Sequence, residues 1–272
     1  MSGTLVPLAT GVLAWLADAP DHDNPNMGAI LAADGVTVVD AATTPLQAAP
    51  FANALAETTP SPIRRLVLTS SHIGHVGGST AFPLAAVYGT AQTSHLLDQP
   101  PNPDVWARLH PVHAPQFAEL VTRPVSHTIA DAAHLCAASI AVPLGGQQFE
   151  NLVVQVPGAN VVFTGALASF GVTPLGFEAD VPAWIQSLEQ LKAWGELFIP
   201  AHGPIGGHEE LTLLQDYLQA VIDANGAPER LASGPWTAWT NPEFHAVNVE
   251  RAARLAAGDP SPPPSMLALL GM

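Results

Sequence analysis

Eleven histidines against only eight lysines and arginines, in a chain of 272 residues, make imidazole the main chemistry that this sequence offers. Two of them stand three residues apart in Val67-Leu-Thr-Ser-Ser-His72-Ile-Gly-His75-Val-Gly-Gly78. Here an apolar strand through Leu66, Val67 and Leu68 runs into a loop, and Gly77 and Gly78 permit tight backbone packing as the next element begins. A third, His202, follows another apolar run in Phe198-Ile-Pro-Ala-His202-Gly-Pro204. Imidazole titrates near neutral pH, moves protons and ligates metals, so His72, His75 and His202 are the candidate catalytic or metal-binding groups. If they crowd together, simultaneous protonation is disfavoured and at least one pKa falls. The hydroxyls of Ser70 and Ser71 lie beside them as candidate nucleophiles, although the sequence identifies no third, orienting acid.

The His72–His75 loop resembles the signature loop of the metallo-β-lactamase superfamily, Thr-His-x-His-x-Asp-His-x-Gly-Gly. Thr69, His72, His75, Gly77 and Gly78 match, while Ser70 stands at the first His and Gly74 at the Asp. The resemblance extends over roughly residues 10 to 225. Asn26 to Asp40 is similar to the family's opening hairpin, with a turn at Asp34-Gly35 and a closing structural Asp. Asn151 to Ala166 is similar to the paired strands that end in Gly-Asp, with Ala166 in place of the Asp, and counting back from Pro157 sets Gln147 where the family carries a His. The Ile-Pro-Ala-His202-Gly-Pro segment is similar to the last ligand loop.

The resemblance implies a four-layer αββα sandwich and two metal sites, one of three His (here Ser70, His72 and Gln147) and one of Asp, His and His (here Gly74, His75 and His202), bridged by an Asp that is here Ala166. A catalytic zinc needs three protein ligands and an open position, so no dinuclear centre and no cofactor are expected. The family's metal-bound hydroxide would then be missing too. Three readings follow. The first is an enzyme of hydrolase-like or lyase-like type that uses the His cluster on a small, fairly apolar carbonyl substrate such as an ester, lactone or thioester. The second is a non-catalytic relative that binds a ligand or protein, its histidines being relics satisfied by Ser70, Ser71 or Gln147. The third is a single zinc or iron held by His72, His75 and His202.

The small replacements leave room for a ligand, and two insertions supply further pocket candidates. Asp18 to Asn26 contains Asp21, His22 and Asp23, either replacement polar groups or a solvated acidic turn. The second insertion, Leu96 to His127, carries Pro100, Pro101, Asn102, Trp106, His110 and His113, either as a lid over the pocket or as a surface helical hairpin. Gly165 to Phe177, with Phe170, is read as an apolar pocket wall.

Composition narrows the partners. A formal net charge of −15 repels phosphate backbones and anionic membranes, so neither nucleic acid nor lipid is expected. The first residues carry no basic segment or long apolar run, which points to a cytoplasmic protein, and the single cysteine, Cys136, reads as a core residue of a strand through Leu135–Pro143.

The elements that must position these groups show in the apolar periodicity. Strand-like runs recur at Val12–Leu16, Ala29–Leu31, Val36–Val39, Leu66–Leu68, Ala86–Tyr88, Ala138–Val142, Leu152–Val156 and Val161–Phe163. Helical stripes follow Asp180 (Trp184, Leu188, Leu191) and run through Leu211, Leu214, Leu218 and Val221, and a third helix spans Asn241 to Gly258. Residues 1–225 are thus read as the main domain and 226–272 as an extension packed on it. An extended Pro260–Pro264 tail and Met266–Leu270 end the chain, docked on this core or on a second subunit of a homo-oligomer.

Overall fold

The computed structural model describes residues 3–99 and 103–272. Pro100, Pro101 and Asn102 of the second insertion lie outside the described residues, as do Met1 and Ser2. The first sheet contains β1 (Gly3–Ala9), β2 (Val12–Ala17), β3 (Met27–Ala32), β4 (Gly35–Val39), β5 (Ile63–Val67), β6 (Ala86–Gly89) and β7 (His127–Thr128), in that order, antiparallel up to β4 and parallel beyond it. The second contains β8 (Ala133–Cys136), β9 (Ser139–Leu144), β10 (Asn151–Val156), β11 (Val161–Ser169) and β12 (Leu197–His202), with β12 parallel to β11. The helices are α1 (Pro45–Thr58), α2 (Ile73–Val76), α3 (Ala91–Asp98), α4 (Pro103–Leu109), α5 (Ala114–Phe117), α6 (Val181–Lys192), α7 (His208–Asp223), α8 (Phe244–Ala256) and α9 (Pro264–Leu269).

Strand alternation makes these elements four layers. Val12, Ala14, Ile30, Val39 and Val67 of the first sheet face Leu152, Val154, Val161, Phe163 and Ile199 of the second. Their neighbours Leu13, Trp15, Val38, Leu66 and Leu68 turn the other way, onto Phe51 and Leu55 of α1 and Phe117 of α5. Val153 and Val162 turn out of the second sheet onto Trp184 and Leu188 of α6 and Leu214 and Leu218 of α7. Each large side chain so buried contributes roughly 1.5–3 kcal/mol. The order αββα is the expected one.

Some local expectations are corrected. Leu135 to Pro143 is a hairpin of β8 and β9 instead of one strand, and Cys136 is buried there with its Sγ 3.2 Å from Ser139 Oγ. Helix α1 escaped the periodicity, because Pro45 and an internal Pro50 mask a stripe that buries only Gln47, Ala48, Phe51 and Leu55. The chain end is helical, since Pro264 sits at the start of α9, where its fixed φ and missing N–H are tolerated. Among the described residues no helix is long and apolar enough to cross a membrane.

Candidate functional site

The centre of the site is a buried carboxylate at the end of β4. Asp40 lies in the left-handed region (φ 63°), as does Ala42 (φ 58°), a conformation that costs about 1–3 kcal/mol and is retained where the surroundings impose it. Thr69, just past β5, donates its N–H and its hydroxyl to the two Asp40 oxygens at 2.8 and 2.7 Å. Nδ1 of His75, on α2, is 2.8 Å from Asp40 Oδ2. The loop closes this tightly because Gly77 and Gly78 press against α1's leading segment: a Cβ on either would lie 1.9 Å from the carbonyl oxygen of Thr43 or Ala41. The carboxylate can only accept, so the His75 proton sits on Nδ1 and the Nε2 lone pair faces the cavity. The orienting acid that the sequence did not disclose is therefore Asp40, 35 residues from its histidine.

Neighbouring histidines are held in defined tautomers by the same logic. Nδ1 of His202, at the end of β12, is 3.0 Å from the Asp21 carbonyl oxygen, so it carries the proton and leaves Nε2 as an acceptor. His72 is reversed: the Gln147 amide nitrogen, which only donates, lies 3.2 Å from His72 Nδ1, so the proton is on Nε2. His110 Nδ1 is 2.7 Å from Asp23 Oδ1, a second carboxylate–imidazole pair, and its ring stacks on His22 with centroids 4.6 Å apart. The His22 ring is in turn 5.5 Å from that of His202, which is 6.5 Å from that of His75.

These groups line one cavity of about 320 Å³. Its polar floor includes His22, Ser71, His72, His75, Ser169 and His202, and Trp106 and Leu109 of α4 and Met266 of α9 form its apolar side. The segment after residue 225 shapes it at three points. Asn241 Oδ1 accepts from the His22 N–H at 2.9 Å. Asn248 accepts from the Gly176 N–H at 2.9 Å and donates to the Pro174 carbonyl and Tyr217 hydroxyl, each at 2.8 Å, which holds the loop bearing Leu175, Phe177 and Glu178. Met266 and Leu270 reach the cavity wall.

Burial sets the charge state of part of this floor. It lowers His202 to about 3, assisted by His75 and His110 and opposed by the bond to Asp21, and it pushes His22 well below the ordinary value, helped by His110 and His202. Glu178 is pushed up by burial, but His72 and the Gln148 amide outweigh this and hold it below the usual carboxylate range. A consequence can be measured. The unfolded chain takes up a proton at each of these histidines near 6.5 whereas folded His202 does so only near 3, so stability is lost as pH falls through that window. Each histidine steepens the loss by up to about 1.4 kcal/mol per pH unit. Urea unfolding is expected to show this slope and His202→Asn to reduce it; a midpoint independent of pH would contradict the assignment.

Of the expected site residues, His72, His75, His202, Ser71, Gln147, Ala166, Gly74, His22, Trp106 and His110 border the cavity. Five other candidates behave differently. Ser70 is fully buried and donates to Gln148 Oε1 at 2.6 Å, away from the cavity, because that amide is the acceptor within reach. Phe170 is a core residue packed over Gly203 and Gly206 and forms no pocket wall. Asp21 acts through its carbonyl, its carboxylate capping its own turn at Asp23 N and Asn24 Nδ2, and the Asp23 carboxylate pairs with His110 while its carbonyl accepts from Gln47 Nε2 at 2.9 Å. His113 of the second insertion is buried against Gln47 Nε2 at 2.9 Å. Among the described residues no three His, Cys, Asp or Glu side chains group so that they could hold a metal. Glu178, 3.6 Å from His72 Nε2, escaped the sequence reading, which had no pattern to mark it.

The same architecture occurs in proteins of known kind. A family model described as "Metallo-beta-lactamase superfamily" matches residues 21–229. A "Metallo-beta-lactamase type 2" of Bacteroides fragilis is 30% identical over 90 residues, a match that spans 31% of this chain and 36% of the length of that curated relative. Among solved structures, FIM-1 from Pseudomonas aeruginosa, in a mono-zinc form, aligns over 80% of this chain and 96% of its own at a TM-score of 0.64 and 22% identity. The enzyme from Pontibacter korlensis aligns over 80% and 99% at 0.65 and 16%, and that from Hirschia baltica over 80% and 98% at 0.62 and 22%. With the signature-like loop, the paired sheets and a family match over most of its length, this chain belongs to the metallo-β-lactamase superfamily.

Proposed function

We propose that this protein is an enzyme that cleaves a small, fairly apolar ester, lactone or thioester with its own imidazoles and without a dinuclear metal centre. The observation that carries this reading is the buried Asp40–His75 pair, which aims an acceptor nitrogen at the cavity. His75 Nε2 takes the proton of a water molecule as that water attacks the carbonyl carbon, and Asp40 holds the ring and stabilises the imidazolium that forms. His72, with its proton on Nε2, donates to the oxygen on which negative charge develops. The proton held by His75 then passes to the leaving group. His22 and His202, kept neutral by burial, bind without adding charge.

The donors present do not fit the family's two metals. At three of the six ligand positions implied by the resemblance, and at the bridge, stand a hydroxyl committed to Gln148, a hydrogen in place of a side chain, a methyl group and the Gln147 amide. That amide is already bonded to His72, the Leu175 carbonyl and Asn151. Of the three histidines left at those positions, two, His75 and His202, present Nε2 lone pairs, one fewer than a catalytic zinc requires. No step above passes through a metal.

Turnover of an ester, lactone or thioester that persists after dialysis against EDTA, by protein with less than stoichiometric metal, is the expected result; turnover that appears only with added zinc overturns the reading. A gain-of-function experiment probes the same point. Ser70→His, Gly74→Asp, Gln147→His and Ala166→Asp together are expected to create zinc binding, and the single changes far less. Gly74 lies in α2, outside the left-handed glycines, and a Cβ there meets nothing nearer than Pro25 Cγ and Thr43 Oγ1 at 3.9 Å, so the backbone accepts a side chain at this position. Calorimetry showing no zinc uptake by the folded fourfold variant would refute the ligand correspondence.

A further inference from the structure

The apolar end of the cavity is built by two segments outside the two sheets. Leu97 of α3 and Trp106 and Leu109 of α4 form one side, and Met266 of α9 with the following Leu270 forms the other. The second segment lies beyond residue 229, where the family match ends, so this wall is an addition to the shared fold. It is fastened down. Ser265 donates its N–H and hydroxyl to the Glu250 carboxylate of α8, each at 2.8 Å, Arg108 donates to the Leu270 carbonyl, and Met266 is 3% exposed among Leu175, Phe244 and Val247.

The floor and the charge of the cavity restrict what meets that wall. His22 Nε2, His72 Nε2 and Ser169 Oγ are buried, border the cavity and have no hydrogen-bond partner, a demand that a ligand head group or ordered water must meet. No lysine or arginine is among the described lining residues, Glu178 adds a carboxylate at the rim, and the chain carries a formal charge of −15. A carboxylate or phosphate ligand would be desolvated there with no cation to receive it.

We infer that the site selects an uncharged molecule with a hydrogen-bonding head at the histidine floor and an extended apolar group against α9, Met266 and Leu270 being specificity-determining residues. This rests on the reading of the cavity as the functional site, but it concerns recognition alone and is tested without turnover. The probes are methyl ketones bearing propyl, pentyl and heptyl chains, which the proposed chemistry cannot hydrolyse, set against butanoate, hexanoate and octanoate, titrated calorimetrically into the whole protein. Affinity for the ketones is expected to rise roughly fourfold per methylene, and each carboxylate to bind at least about tenfold more weakly than the ketone of the same chain. Met266→Trp should weaken the heptyl ketone by about tenfold or more and leave the propyl ketone nearly unchanged. Should Met266→Trp fail to fold, Leu270→Trp at the half-buried neighbouring position carries the same expectation. Equal binding of carboxylates and ketones, equal loss across the series, or no ketone binding overturns the inference. Ketone binding with this profile in a protein that hydrolyses nothing refutes the proposed reaction and leaves the recognition site standing; hydrolysis without the profile does the reverse.

Discussion

Asp40→Ala is expected to cost several kcal/mol of stability, since each buried donor left without its acceptor costs about 1–3 kcal/mol. The substitution strands three donors at once: the Thr69 N–H, the Thr69 hydroxyl and His75 Nδ1, all in a region closed to solvent. It also removes a residue type that tolerates the left-handed backbone at φ 63°. Asp40→Asn is the informative partner. Asparagine accepts that backbone and keeps one acceptor for Thr69, so most of the stability should return. Urea unfolding of the two variants checks this; a loss below about 1 kcal/mol for Asp40→Ala would mean that the network does not hold the loop.

The largest kinetic effect is expected at His75. His75→Gln removes the acceptor nitrogen that faces the cavity while leaving an amide within reach of Asp40, and should lower kcat for ester or lactone turnover by about 10²–10⁴-fold, the usual range for a positioned general base. Truncation to alanine is a poorer experiment, because an unpartnered Asp40 would mix a folding defect into the rate. Asp40→Asn should lower kcat too, for a separate reason: its amide N–H opposes the Nδ1–H of His75 and drives the proton to Nε2, where the base must be bare. KM should change little in either variant, since neither residue forms the apolar wall. Steady-state kinetics on folded protein decide, and a His75→Gln variant that retains a rate within a few fold of the parent would remove His75 from the mechanism.

Much of the fold was legible in the chain. Near-continuous apolar runs of three to five residues mark strands buried on both faces, as in a layered sandwich, and Asp180 followed by Trp184, Leu188 and Leu191 states a capped helix outright. Where these cues are diluted the reading failed: α1 carries two prolines and buries few side chains, and a strand that doubles back at Ala137-Ala138 keeps its apolar character through the turn. Phe170 follows Ala166 in the chain yet packs in the core, because side chains alternate along a strand and at its end, so nearness in sequence says little about facing.

The identities of the chemical groups were set by the sequence alone. His72, His75 and His202 could be picked out, Ser70, Gly74, Gln147 and Ala166 could be seen to replace other residue types, and the acidic composition argued against polyanionic partners. What those groups do in combination was decided by the tertiary structure. A histidine becomes an acceptor or a donor according to what occupies its other nitrogen, and those occupants come from Asp40, Asp21 and Gln147, at separations of 35, 181 and 75 residues. No spacing rule links such distances, because they are set by which strand ends the two sheets bring together. The tail is the same case: Met266 to Leu270 is only an apolar segment in the chain, and it forms part of the site because α8 and Glu250 lay it across the open end of the cavity.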